Sequence, residues 1–97
     1  MLEAQGDLRG AEATYASSLQ IMLKLVIQEP TNRARLRELS AIHGRLGGVL
    51  KAQGDVAGAT RNFKASIEIL TNLIREQGEN PTLEWDLDWA KAQLREG

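Results

Sequence analysis

The sequence repeats itself at a step of 48 residues. Residues 2–7 read LEAQGD and residues 50–55 read LKAQGD, so Leu2 and Leu50 are equivalent positions. With this shift and no gap, further identities extend along both copies: Gly10/Gly58, Ala11/Ala59, Ser18/Ser66, Ile21/Ile69, Leu25/Leu73, Asn32/Asn80, Leu39/Leu87 and Leu46/Leu94. A fixed period of this size indicates stacked units of supersecondary structure, in which each unit covers the apolar face of its neighbour.

The pattern within one period predicts two helices. A glycine in the left-handed conformation ends a helix, and a following aspartate caps the next one. We expect this of both Gly-Asp pairs, Gly6-Asp7 and Gly54-Asp55. Asparagine begins the helices in between, and Pro81 after Asn80 suits a first helical position. Apolar residues at helical spacing complete four predicted helices, at about 8–28, 33–52, 56–77 and 81–95.

Residues 43–63 resemble the tetratricopeptide repeat. The pattern H-x2-L-G-x2-L from His43 to Leu50, followed by Ala59 and Phe63, is similar to W-x2-L-G-x2-Y…A-x3-F. The resemblance implies that Gly47 and Ala59 are small so that paired helices approach closely, with Phe63 between them. His43 and Leu50 replace the aromatic residues of that pattern. The period of 48 exceeds the usual ~34 and resembles a longer bacterial variety with extended helices.

The repeat and the resemblance together predict the fold class. We expect an all-α, right-handed solenoid of antiparallel helix pairs with about four helices, because a chain of 97 residues forms one domain. Within this tetratricopeptide-like domain, residues 1–30 are the second helix of unit 1. Residues 31–78 are the full unit 2, and residues 79–97 are the first helix of unit 3.

Apolar residues lie outside the predicted inner faces of the first and last helices. Ile21 and Leu25 lie well round from the inner stripe of the first helix, and Trp85 and Trp89 project from the last helix opposite its leucines. An indole there either folds over the preceding helix as a lid or contacts a partner. Both alternatives stay open from the sequence. Exposed faces on both terminal helices also predict self-association, with a homodimer as the simplest form.

Few residues in this sequence suit catalysis or metal binding. There is no cysteine, and the single histidine, His43, falls on an apolar stripe, where we expect a packed, hydrogen-bonded side chain. We therefore expect no enzyme activity, no cofactor and no metal. The net charge of −1 and the short cluster Arg33, Arg35 and Arg37, without interleaved aromatic residues, argue against nucleic acid. No apolar run approaches a membrane span, and the composition suits the cytoplasm.

Charge is divided between two segments of the chain. Residues 31–53 carry five basic residues and one acidic residue, a net charge of +4, and residues 76–97 carry six acidic and two basic residues, a net charge of −4. Opposed helices of one chain, or of neighbouring chains, could match these charges. Two solvated faces with little interaction energy are the simpler interpretation.

The resemblance also implies a function. Tetratricopeptide arrays bind peptides or helices along a concave surface, whose positions here are Ala41, Gly44, Gly48 and Lys51. Glycines at two of them argue against a carboxylate clamp and predict a bare groove that a partner approaches closely. We expect a non-catalytic scaffold module that binds a peptide or helix of a protein partner. The predicted contact residues are Trp85, Trp89, Gly44, Gly48, Arg33, Arg35 and Arg37. The alternatives are a self-associating repeat unit and a fragment of a larger signalling protein.

Overall fold

The structure, a computed structural model, describes the backbone of residues 2–78 and 80–96 and the side chains of residues 7–78 and 80–95. Four helices account for the regular structure of these residues, and none of them forms a strand. The helices are α1 (Leu2–Gln28), α2 (Arg33–Ala52), α3 (Val56–Gln77) and α4 (Pro81–Glu96). No helix among them combines the length and apolar character needed to cross a lipid bilayer.

The turn between α2 and α3 is the one that the Gly-Asp pair predicts. Gly54 has φ +87°, its N–H donates to the carbonyl of Lys51 at 3.0 Å, and the N–H of Asp55 donates to the carbonyl of Leu50 at 2.9 Å. These two bonds satisfy carbonyls at the end of α2 in a Schellman arrangement. The carboxylate of Asp55 then accepts from the N–H of Gly58 at 2.9 Å and caps α3. The prediction for this copy of the motif is confirmed.

The prediction for the first copy is wrong. Helix α1 begins at Leu2, not near residue 8, and it continues through Gly6 and Asp7 without a turn. Gly54 lies between two helices that pack against each other, and this packing stabilises the reversal of the chain. In α1 the residues on both sides of Gly6 are helical, and a helix interior tolerates a glycine at a cost of about 1 kcal/mol.

The remaining helix ends follow the predicted capping. Asn32 Oδ1 accepts from the N–H of Arg35 at 3.2 Å, which caps α2. Asn80 Oδ1 accepts from the N–H groups of Thr82 and Leu83 at 3.0 and 3.3 Å, and Pro81 is the first residue of α4. Consequently the bounds of α2, α3 and α4 agree with the prediction to within one residue.

The core lies between consecutive helices and is centred on α3. Phe63, Leu70 and Leu73 of α3 are each 1% exposed, and Leu83 and Ala90 of α4 are equally deeply buried. Burial of one such large apolar side chain contributes roughly 1.5–3 kcal/mol. Tyr15 and Leu19 of α1 pack against one cluster, which consists of Leu46, Leu50, Ala59 and Phe63. Each helix therefore packs against the next one along the chain.

Close approach of α2 and α3 depends on Gly47. A Cβ atom at this position would lie 2.8 to 3.0 Å from three atoms of the Phe63 ring, closer than real Cβ contacts. The predicted role of Gly47, a small residue that lets the paired helix come near, is confirmed.

Helices α2 and α4 run parallel, on the same side of α3. The amine of Lys51, near the end of α2, donates to Gln93 Oε1, near the end of α4, at 3.2 Å. One to two turns earlier on each helix, Gly44 faces the indole of Trp89. Positions along the two helices therefore increase in the same direction, and a groove separates them towards their N-terminal ends.

Candidate protein-binding groove

The groove between α2 and α4 encloses about 440 Å³. Side chains of α2 form one wall and side chains of α4 form the other, while buried Gly44 of α2 and buried Ser66 and Leu70 of α3 form the floor. The residues that define it are Arg37, Ala41 and Arg45 on the α2 wall, Trp85, Asp86 and Trp89 on the α4 wall, and Gly44, Ser66 and Leu70 beneath them. We refer to this site as the α2–α4 groove.

Trp89 is packed against the body of the protein. Its ring meets the ring of Phe63 edge-on, with centroids 5.7 Å apart and planes at 74°. A Cβ atom at Gly44 would lie 3.4 Å from Cζ3 of Trp89, an ordinary contact distance. The side chain remains 43% exposed. Of the two alternatives that the sequence left open for this indole, the structure has the lid, which packs on Phe63 of α3 and covers Gly44 of α2. The prediction of a bare surface at Gly44 is wrong, because this indole covers it.

Trp85, one turn earlier on α4, is exposed. Its side chain is 74% accessible to solvent, although it borders the groove. An indole offers 150–250 Å² of surface and an N–H donor, so it supports tight contact with either an apolar or a polar group. Trp85 is therefore the largest unburied apolar side chain on the walls of the α2–α4 groove.

The two walls carry opposite charge. Arg37 and Arg45 are two helical turns apart on α2, and Asp86 is half-buried on α4. Among the described residues no ion pair links either arginine to Asp86. These three charged side chains are thus available to form ion pairs with a ligand.

Four of the predicted contact residues come together at the groove. Arg37, Gly44, Trp85 and Trp89 all line it. Gly48 does not, and a Cβ atom there would meet nothing within 4 Å, so nothing in the structure explains this glycine.

The other two arginines lie elsewhere. Arg33 borders a smaller depression of about 170 Å³ beside the start of α4. Arg35 extends to the other side of α2, where its guanidinium pairs with the carboxylate of Glu29 at 3.5 Å. Arg37 borders the smaller depression as well as the α2–α4 groove. Arg33 and Arg37 thus share one face of α2 and Arg35 lies on another, because residues four apart on a helix are neighbours and residues two apart are not.

Arg45 and Asp86 also line the groove, although the sequence did not predict them as site residues. The signal for Arg45 is its four-residue spacing from Ala41, which in turn follows Arg37 by four. No comparable signal exists for Asp86, because its place at the groove depends on how α4 packs.

His43 has a structural role. Its Nδ1 lies 2.9 Å from Asn62 Oδ1, while the amide nitrogen of Asn62 donates to the carbonyl of Gly58 at 2.9 Å. Because Asn62 Oδ1 can only accept, the proton is assigned to Nδ1 of His43. This chain of bonds joins α2 to α3 and agrees with the expected hydrogen-bonded histidine.

Comparison with known proteins adds no relative. No protein-family model, curated protein or solved structure matches this chain at a significant level. Within the part of the chain that the structure describes, no three acidic or histidine side chains are grouped so that they could hold a metal ion. The α2–α4 groove is therefore interpreted from its own geometry.

Proposed function

We propose that this chain is a tetratricopeptide-type module that binds a helix or an extended peptide of a protein partner in the α2–α4 groove. In this proposal the helices form part of a right-handed solenoid, with α2 and α3 as its complete pair. The module contributes recognition and no catalytic step. The observation that carries the proposal is Trp85, which stays 74% exposed on the wall of a concave groove.

The surroundings of Trp85 favour a protein ligand. Exposed aromatic and arginine side chains are the residue types that most often dominate the energy of protein interfaces. Here two arginines face two tryptophans across a floor made of Gly44, Ser66 and Leu70. A ligand of matching chemistry carries an apolar side chain for Trp85, an acidic group for Arg37 and Arg45, and a basic group for Asp86.

The rigid construction of the groove supports the same proposal. Trp89 is held between Phe63 and Gly44, and the floor residues Ser66 and Leu70 are buried. A wall that is already ordered loses little side-chain freedom when a ligand binds. We therefore expect Trp85 to provide most of the binding affinity and Trp89 to define the shape of the groove wall.

The proposal is tested by selecting peptides from a random display library on the intact protein. Selected peptides are then titrated against the wild-type protein, Trp85→Ala and Ile27→Ala. Ile27 is a matched control because its side chain is 78% exposed on α1, away from the groove. Loss of an aromatic anchor costs at least about 2 kcal/mol at an interface.

We expect Trp85→Ala to weaken binding at least about thirtyfold, and Ile27→Ala to leave it unchanged. Peptides that bind Trp85→Ala as tightly as the wild type would exclude the groove as the binding site.

A further inference from the structure

We propose that a second copy of this chain occupies the α2–α4 groove, so that two copies meet groove to groove about a two-fold axis parallel to α2 and α4. The proposal rests on the groove being a protein-binding surface, and it names the occupant. It is carried by the opposite charge of the two walls and by the parallel course of the two helices that form them.

The geometry of a two-fold rotation brings unlike walls together. Rotation about an axis parallel to the helices, in the plane of the groove opening, places α2 of one copy over α4 of the other. Because the axis is parallel to the two helices, the rotation keeps each residue at its own level along the groove. Arg37 lines the same groove as Trp85 and Asp86, which brings the three side chains to one stretch of its length.

The α2 wall of each copy then contacts the α4 wall of the other. Arg37 of one copy faces Trp85 and Asp86 of the second copy, and the same contacts occur again on the other side of the axis. Asp86 accepts the guanidinium as an ion pair, and the face of the indole attracts the same cation. A two-fold interface requires a self-complementary surface, and walls of opposite sign at one level provide it.

Competing ways to join two copies fit the structure less well. In one alternative, α4 of one copy packs against α1 of another, as α2 packs against α3 within the chain. Lys91 and Arg95, both exposed, would then take the positions that His43 and Gly47 have on α2. Gly47 has room only for a hydrogen atom beneath Phe63, so an arginine at the equivalent position cannot reproduce that close packing.

Charge reversal tests the arrangement. The variants are Arg37→Glu, Asp86→Arg, and a double variant with both reversals in one chain. Lys64→Glu serves as the control, because Lys64 is exposed on α3 and does not line the groove. Sedimentation velocity at concentrations up to the millimolar range measures the dissociation constant of each protein, and far-UV circular dichroism checks that each is folded.

We expect the wild-type protein to dimerise and to dissociate more readily at high salt. Each single reversal places like charges opposite each other twice, so we expect at least about tenfold weaker self-association. A mixture of the two single variants pairs opposite charges again at both contacts, and we expect it to form a heterodimer with wild-type affinity. The double variant is expected to dimerise as the wild type does, and Lys64→Glu to change nothing.

Three results would overturn the inference: a wild-type protein that is monomeric throughout, single reversals without effect, or a mixture that fails to restore the dimer. Dimerisation that resists both reversals but is lost in Ile27→Asp would assign the contact to α1 instead. If copies do not pair but selected peptides still depend on Trp85, the groove keeps its proposed function and only the second copy is excluded. If neither occurs, both proposals are wrong.

Discussion

Two adjacent glycines of α2 are expected to respond in opposite ways to the same substitution. Gly47 and Gly48 both lie in the helix interior without positive φ, so alanine at either position gains roughly 0.5–1 kcal/mol of helix propensity. At Gly48 the new Cβ meets nothing within 4 Å. We therefore expect Gly48→Ala to raise the free energy of unfolding by the whole of that amount.

At Gly47 the same methyl group collides with a buried ring. The new Cβ would lie 2.8 Å from Cε1 of Phe63, which is 1% exposed and has Trp89 against its other side. Overpacking of this kind costs about 1–3 kcal/mol. After the propensity gain is subtracted, Gly47→Ala lowers the free energy of unfolding by up to about 2.5 kcal/mol, and the two variants differ by about 1–3 kcal/mol.

Urea denaturation followed by far-UV circular dichroism measures the free energy of unfolding of both variants directly. For a domain of this size 1 kcal/mol corresponds to a shift in Tm of roughly 4–8 °C, so thermal melting separates them as well. Equal stabilisation by the two alanines would refute the close contact between α2 and α3. Equal destabilisation would mean that Gly48 also faces a neighbour.

Five further variants test the helix ends and the aromatic walls. Trp89→Ala removes the contact with Phe63 and is expected to cost about 1–3 kcal/mol of stability, whereas Trp85→Ala stays within about 0.5 kcal/mol, as denaturant titration of both will show. Asn80→Ala removes the cap of α4 and should cost about 1 kcal/mol, while Asn80→Asp should cost far less in the same titration. Gly54→Ala forces a side chain into the left-handed region, and we expect a loss of about 1–2 kcal/mol, seen as a lower Tm.

The helix ends that the sequence predicts correctly are those with a local chemical cause. Asn32, Asp55 and Asn80 each satisfy backbone N–H groups within three residues of themselves, so the information lies in a short window. Gly6 carries the same local signal as Gly54 but does not end a helix. Whether a helix ends at such a glycine depends on packing between the flanking helices, and that information is not local.

The position of Trp89 shows the same limit at the candidate site. On a helical wheel this residue lies away from the leucine face of α4, about 100° round from Ala90, which is fully buried. A short side chain there would point to solvent. An indole is long enough to fold back over Gly44 of α2. A helical wheel of α4 alone does not show this contact with another helix. The sequence therefore predicted an aromatic surface on α4 but not its division into a packed ring and an exposed one.

The stretch GRLGG on α2 connects the stability of the fold to the shape of the groove. Gly47 lies beneath Phe63, Gly44 lies beneath Trp89, and these two rings contact each other edge-on. One aromatic pair thus joins α2, α3 and α4, and the outer member of the pair is also a wall of the groove. A ligand that packs on Trp89 adds contacts to the pair that holds α4 in place. Binding in the groove should therefore raise the free energy of unfolding of the whole domain in proportion to the logarithm of ligand concentration.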